Sequence, residues 1–221
     1  MFGGSGALGS ACVEELQRTG VETVCVSHAA SASGPAISAA RANWANKLPT
    51  GLFDQVVWAQ GKNAAGGIED CSVDQLAELL DANVLFIVRT LQDLLGAGVL
   101  ASPCRLVVIS SVWQDTARQE KLAYIVSKSA VAGLVRSLAA DLGSRGISVN
   151  AVLPGVVDTP MSRASLSAAQ IDAFTEDTPQ GSLCSAADVA RTVRWLASAD
   201  SAGVNAVSVR VDGGWANVRF V

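Results

Sequence analysis

Three consecutive segments decide the fold. Arg105-Leu106-Val107-Val108-Ile109-Ser110 is an apolar β-branched run, residues 122–144 carry a helical pattern, and Ser148-Val149-Asn150-Ala151-Val152-Leu153 is a second apolar run. A strand apolar on both sides of its pleat is covered on both faces. A strand, a helix and a strand in that order make a crossover unit with parallel strands. The same alternation extends outward, with further strands expected at 23–27, 54–60 and 205–211 and helices at 8–19, 72–95 and 185–198. Two helix starts are explicit. Ser72 precedes Gln75 and Ser185 precedes Asp188, each a hydroxyl cap with its partner at the third helical position. Gly143 and Gly146 close the helix at 122–144. The segment 156–184 is polar and lacks an apolar run, as a lid over a binding site would.

Composition agrees with this frame. Half of the 221 residues are apolar and only 16% are charged, against ~25% in an average chain. A single domain spanning 1–221 is expected. The net charge is −4 and the pI about 5.0, without the basic footprint of a nucleic-acid binder. No uninterrupted apolar run approaches the ~18 residues of a membrane span, and no basic residue precedes Arg18 as a secretory signal would require. Five scattered cysteines and a single histidine, His28, fit reduced thiols of a cytoplasmic protein and no metal site.

Gly3-Gly4-Ser5-Gly6-Ala7-Leu8-Gly9 opens onto a helical pattern. Such a turn lets backbone approach a pyrophosphate at a helix N-terminus, although a plain tight turn reads the same way. It should follow a buried strand, and only Met1 and Phe2 precede it, so the first strand is expected to be truncated. Tyr124 and Lys128 stand four apart on one helical face. An ammonium beside a phenol favours the phenolate and suits the pair to proton transfer; a half-buried Tyr and a surface Lys would share the spacing. Ser111 ends the strand at 105–110, where ligands bind in parallel sheets, and Asn83 sits inside an otherwise helical stretch. Trp113 suits a substrate pocket or a packed loop equally.

Together these residues resemble the short-chain dehydrogenase/reductase family. Gly3 to Gly9 is similar to its glycine motif, with Ala7 for the middle glycine. Residues 54–61 are similar to its fourth strand and Asn-Asn-Ala-Gly signature, of which only Gly61 is kept. Asn83, Ser111, Tyr124 and Lys128 match its tetrad, Asn150 to Gly155 with Thr159-Pro160 its cofactor loop, and Val211 to Gly214 its last strand end.

The resemblance implies a single doubly wound parallel α/β sheet, Rossmann-like, with the first strand truncated and the third doubtful because the stretch from Ser27 to Trp58 is short. It implies hydride transfer between NADP(H) and a ketone or secondary alcohol. Tyr124 would move the proton, Lys128 would hold the nicotinamide ribose and lower the phenol pKa, Ser111 would bind the substrate oxygen, and Asn83 would anchor a water. Gly3, Ser5, Gly6, Leu8, Gly9, Ser27, His28, Ala59, Gly61, Tyr124, Lys128, Pro154, Gly155, Val157 and Thr159 would contact the cofactor. Ser27 stands where NAD-specific members carry an acid, which favours NADP and leaves NAD as the alternative. A homodimer or homotetramer and a small carbonyl or alcohol substrate are implied. The competing reading is a non-catalytic member of the fold with a degraded cofactor half.

Overall fold

The computed structural model describes residues 1–27, 37–39 and 43–218. Its strands are β1 (Val26–Ser27), β2 (Ile37–Ser38), β3 (Phe53–Trp58), β4 (Leu100–Ile109), β5 (Ile147–Pro154) and β6 (Ser208–Val211). Every pairing is parallel, in the orders β2-β1 and β3-β4-β5-β6. Phe2 joins the two sets. It bridges Val26 on one side and Trp58 on the other, donating to the Val57 carbonyl at 2.8 Å and accepting from Ala59 N–H at 2.9 Å. The place of the first strand is thus held by this short stub between β1 and β3. The third strand, in doubt from the sequence, is present as β2, a two-residue strand on the far side of β1.

The stub holds because its side chain packs as a strand residue would. Phe2 is 2% exposed, stacks on Trp58 at 5.5 Å with an interplanar angle of 3°, and meets Trp44 and Phe86 edge-on. Trp58 stands where the family signature begins with Asn. Its indole N–H donates to Thr90 Oγ1 at 2.9 Å, so a large ring that would bury an unpaired donor is satisfied. The Phe2 backbone bonds and this ring stack together tie β1 to β3.

Helices α1 (Ala7–Arg18), α2 (Val73–Leu80), α3 (Phe86–Gly96), α4 (Leu122–Leu142), α5 (Pro160–Ser165), α6 (Ala168–Glu176) and α7 (Ala186–Ala197) complete the fold. One core cluster joins α3 and α4 to one sheet face; a second joins α1 and α7 to the other. β4 and β5 contribute to both, as continuous apolar strands buried on two faces must. The caps fall as read: Ser72 accepts from Gln75 N–H, and Ser185 with Asp188 forms a reciprocal capping box. By length and composition α4 could cross a membrane, but Ser127, Lys128, Val131, Val135 and Ala139 are buried as it packs against β5.

The helix expected at 72–95 is interrupted. Residues Asp81–Leu85 form a π-helical turn between α2 and α3, and Asn83 lies within it. The segment 156–184 is also more ordered than a loop. It contains α5, capped by Thr159 with Pro160 at the first position, and α6, opened by a Ser167–Gln170 capping box.

Candidate active site

Most of the expected residues meet at the carboxyl ends of β3, β4 and β5. Asn83 is 2% exposed and its side chain makes three hydrogen bonds. Its Oδ1 accepts from Lys62 N–H at 2.8 Å, and its Nδ2 donates to the Lys62 carbonyl at 3.0 Å and to Ser127 Oγ at 2.9 Å. Ser127 Oγ in turn donates to the Tyr124 carbonyl at 2.8 Å. The amide of Asn83 therefore clamps the loop after β3 to α4. The π turn is the local distortion that places it there, a device common at functional sites. Gly61 permits the close packing: a Cβ there would stand 3.3 Å from Asn83 Oδ1 and 3.5 Å from Lys128 Nζ.

Lys128 is buried on the inner face of α4, its Nζ donating to the Ile109 carbonyl at 3.3 Å and lying 5.7 Å from the centre of the Tyr124 ring. Burial pushes its pKa down to about 8. The Tyr124 phenol, by contrast, is pushed above its ordinary value by burial, with a hydrogen bond to Ser111 opposing. The lowered phenol expected from a neighbouring ammonium is thus not found. Desolvation is the larger of the two causes.

The folded-state pKa of Lys128 lies below its unfolded value near 10.5, so the unfolded chain holds this proton more tightly. At neutral pH burial of the charged amine costs ~3 kcal/mol, a penalty relieved as pH rises from about 8 to about 10.5. Lys128→Met is therefore expected to raise the melting temperature at pH 7, and the gain should shrink above pH 8. A variant less stable than wild type at pH 7, or a gain independent of pH, would contradict this.

Two clefts meet at Tyr124. The larger, about 630 Å³, runs from the glycine-rich turn past Ser27, Ala59 and Gly61 to Tyr124, Lys128 and Thr159. The smaller, about 100 Å³, is lined by Ser111, Tyr124, Gly155, Trp113 and lid residues. Gly3, Ser5, Gly6 and Leu8 line the larger cleft. Gly9 does not: it is buried under the turn, where a Cβ would lie 2.0 Å from the Gly3 carbonyl oxygen. Gly3 has φ +74° and a Cβ there would meet Gln60 N at 2.5 Å. Pro154 and Val157 line neither cleft. Pro154 ends β5 against Val211, and Val157 bridges Cys184. Ser111 and Gly155 belong to the smaller cleft, and His28 lies outside the described residues.

The larger cleft fits a dinucleotide. α1 is preceded at its cap position by Gly6, which has no side chain to cap it, leaving first-turn N–H groups to an anion. Among the described residues the Gln60 amide, at both ends, and Ser110 Oγ are buried without a partner, and both residues line this cleft. Gln60 and Ser110 were not singled out in the sequence. Their signal is only adjacency to Gly61 and Ser111.

The chain matches the family model described as enoyl-(acyl carrier protein) reductase over residues 13–216. It belongs to the short-chain dehydrogenase/reductase family. A 3-oxoacyl-[acyl-carrier-protein] reductase of Pseudomonas aeruginosa is 34% identical over 141 residues, 64% of this chain and 57% of that protein. The match thus spans little more than half of that relative. A family structure from Francisella tularensis superposes with a TM-score of 0.86 at 25% identity, covering 97% of this chain and 96% of the other. A putative 2-deoxy-D-gluconate 3-dehydrogenase of Agrobacterium tumefaciens, solved with bound NADP, gives 0.84 at 28%, covering 97% and 94%. Such coverage agrees with an α/β Rossmann-like fold built on a parallel sheet.

Proposed function

We propose that this chain is an oxidoreductase that moves a hydride between NADP(H) and a ketone or secondary alcohol. The observation that carries the reading is that Tyr124 is a wall of both clefts, the one sized for a dinucleotide and the one that holds Ser111. Bound in the larger cleft, the nicotinamide would supply or accept the hydride. Gly3, Ser5, Gly6 and Leu8 would hold the phosphates, and Thr159 and Lys128 the nicotinamide end. Ser111 binds the substrate oxygen and Tyr124 passes its proton. The ammonium of Lys128 favours charge on the phenol as the proton leaves, and Asn83 is a positioning residue that fixes the loop beneath them.

Ser27 at the end of β1 lines the cleft without a carboxylate to repel a 2′-phosphate, which favours NADP over NAD. The NADP-bound relative supports the same choice. A homodimer or homotetramer is in keeping with the exposed apolar Leu85 beside α3 and Val126 on α4. The five free cysteines suit the reducing cytoplasm. The non-catalytic reading rests on a missing first strand and an altered strand signature, and Phe2 standing between β1 and β3 speaks against the first of these.

Titrating the purified chain with NADPH and NADH, followed by tryptophan quenching, tests the proposal. Saturable binding at least tenfold tighter for NADPH is expected. No saturable binding of either by a folded chain would overturn it, and preference for NADH would overturn the cofactor choice.

A further inference from the structure

Lys121 immediately precedes α4 and is only 6% exposed. Its Nζ donates to Asn63 Oδ1 at 3.0 Å and to the Ala64 carbonyl at 3.3 Å, and lies 6.0 Å from the centre of the Tyr124 ring. An ammonium has three donors, so one remains. Arg118 lies beside it, over the Trp113 ring at 5.9 Å, and among the described residues only its Nε is hydrogen-bonded, to the Gln119 carbonyl at 3.4 Å. Both line the small cleft that holds Ser111 and Tyr124.

Neither cation enters an ion pair among the described residues. Glu120 and Asp177 line a separate outer cleft with Arg118. Arg163, the cation of α5, is already taken by Asp158, two bonds at 2.7 Å. A buried ammonium beside a guanidinium, without a counter-ion, is unfavourable. Burial and Arg118 together push the Lys121 pKa down. A monoanion in the cleft would relieve both costs. Trp113 and Phe174 also line the cleft, edge-on at 6.5 Å between ring centres, and Trp215 packs against both rings at 5.4 and 5.5 Å.

We propose that Lys121 and Arg118 form an anion subsite that selects small oxo or hydroxy compounds carrying a carboxylate near the reacting carbon. The inference rests on the oxidoreductase reading for the reaction, though not for the subsite itself. Two features favour a carboxylate. The cleft is small, about 100 Å³, and a guanidinium fork with a free face matches a planar carboxylate. The aromatic wall would take the alkyl remainder. A neutral thioester presents no charge for these two cations.

The test compares 2-oxobutanoate, acetoacetate and levulinate, each with its neutral amide, by NADPH consumption. At least one acid is expected to show a kcat/KM tenfold or more above its amide. Lys121→Met should lower that value about thirtyfold, change the amide less than threefold, and be partly rescued by Lys121→Arg. Arg118→Gln, at a half-buried position, should cost the acid about tenfold and provides a second probe should Lys121→Met melt early. Amides turned over as well as acids, or equal losses for both in the variants, would overturn the subsite while leaving the reductase. Should nothing turn over, calorimetry with the same acids separates the two ideas. Lys121-dependent binding would retain the subsite, and absence of such binding would overturn it; the reductase itself stands or falls with the cofactor titration.

Discussion

Tyr124→Phe is expected to lower turnover about a thousandfold while NADPH affinity stays within threefold of wild type. The phenol lies between the two clefts, with Ser111 hydrogen-bonded to it and Lys128 Nζ 5.7 Å from its ring. Phenylalanine keeps the ring and its packing but has no proton to give. The fold should be unaffected, because the α4 contacts nearby run through the Tyr124 carbonyl, which accepts from Ser127, and not through the phenol. Steady-state kinetics with a screened carbonyl, together with the quenching titration, separates the two quantities. Retained turnover would show that another group carries the proton and would sink the proposed mechanism. Loss of binding and turnover together would mean that the ring is structural.

The second large effect concerns two glycines three residues apart. Gly9→Ala should lower stability by about 3 kcal/mol, or ~10 °C in melting temperature, and weaken NADPH binding more than tenfold. The added carbon would fall 2.0 Å from the Gly3 oxygen and 3.0 Å from Gly4 Cα, so the turn itself must move. Gly6→Ala places its carbon 3.5 Å from the same oxygen, an ordinary contact. It should melt within ~2 °C of wild type, the range of a benign surface change, yet lose affinity, because Gly6 lines the cleft where the phosphates would lie. Thermal melts and NADPH titrations of both variants distinguish a glycine needed by the fold from one needed by the ligand. Equal stability in the two would contradict the geometry.

The site was partly legible. Tyr124, Lys128 and Ser111 could be placed because a helical repeat of four and a strand end are local facts. Gly9 was read as a cofactor contact and is instead a packing glycine, since the sequence shows spacing but not which side of a turn a residue faces. The two lid helices left a readable mark, Thr159-Pro160 and the Ser167–Gln170 cap, outweighed by the polar character of the segment. The π turn at Asp81–Leu85 left none. It exists because the loop at Lys62 and the hydroxyl of Ser127, distant in the chain, draw the Asn83 amide inward.

The chain by itself determined the layered α/β architecture, the parallel sense of the strands and the helix starts. Apolar period, β-branched runs and hydroxyl caps act over a few residues, and these alone decide such elements. Tertiary structure decided the rest. Two residues at the N-terminus carry no strand pattern, yet Phe2 becomes the centre of the sheet because Val26 and Trp58 leave unpaired backbone on either side and a ring to stack on. Packing, not any local pattern, buries Lys121 against Asn63 and Ala64 beside Tyr124. Burial likewise sets the Tyr124 and Lys128 pKa values in directions the spacing did not foretell, because desolvation depends on what surrounds a group and not on its neighbours in the chain.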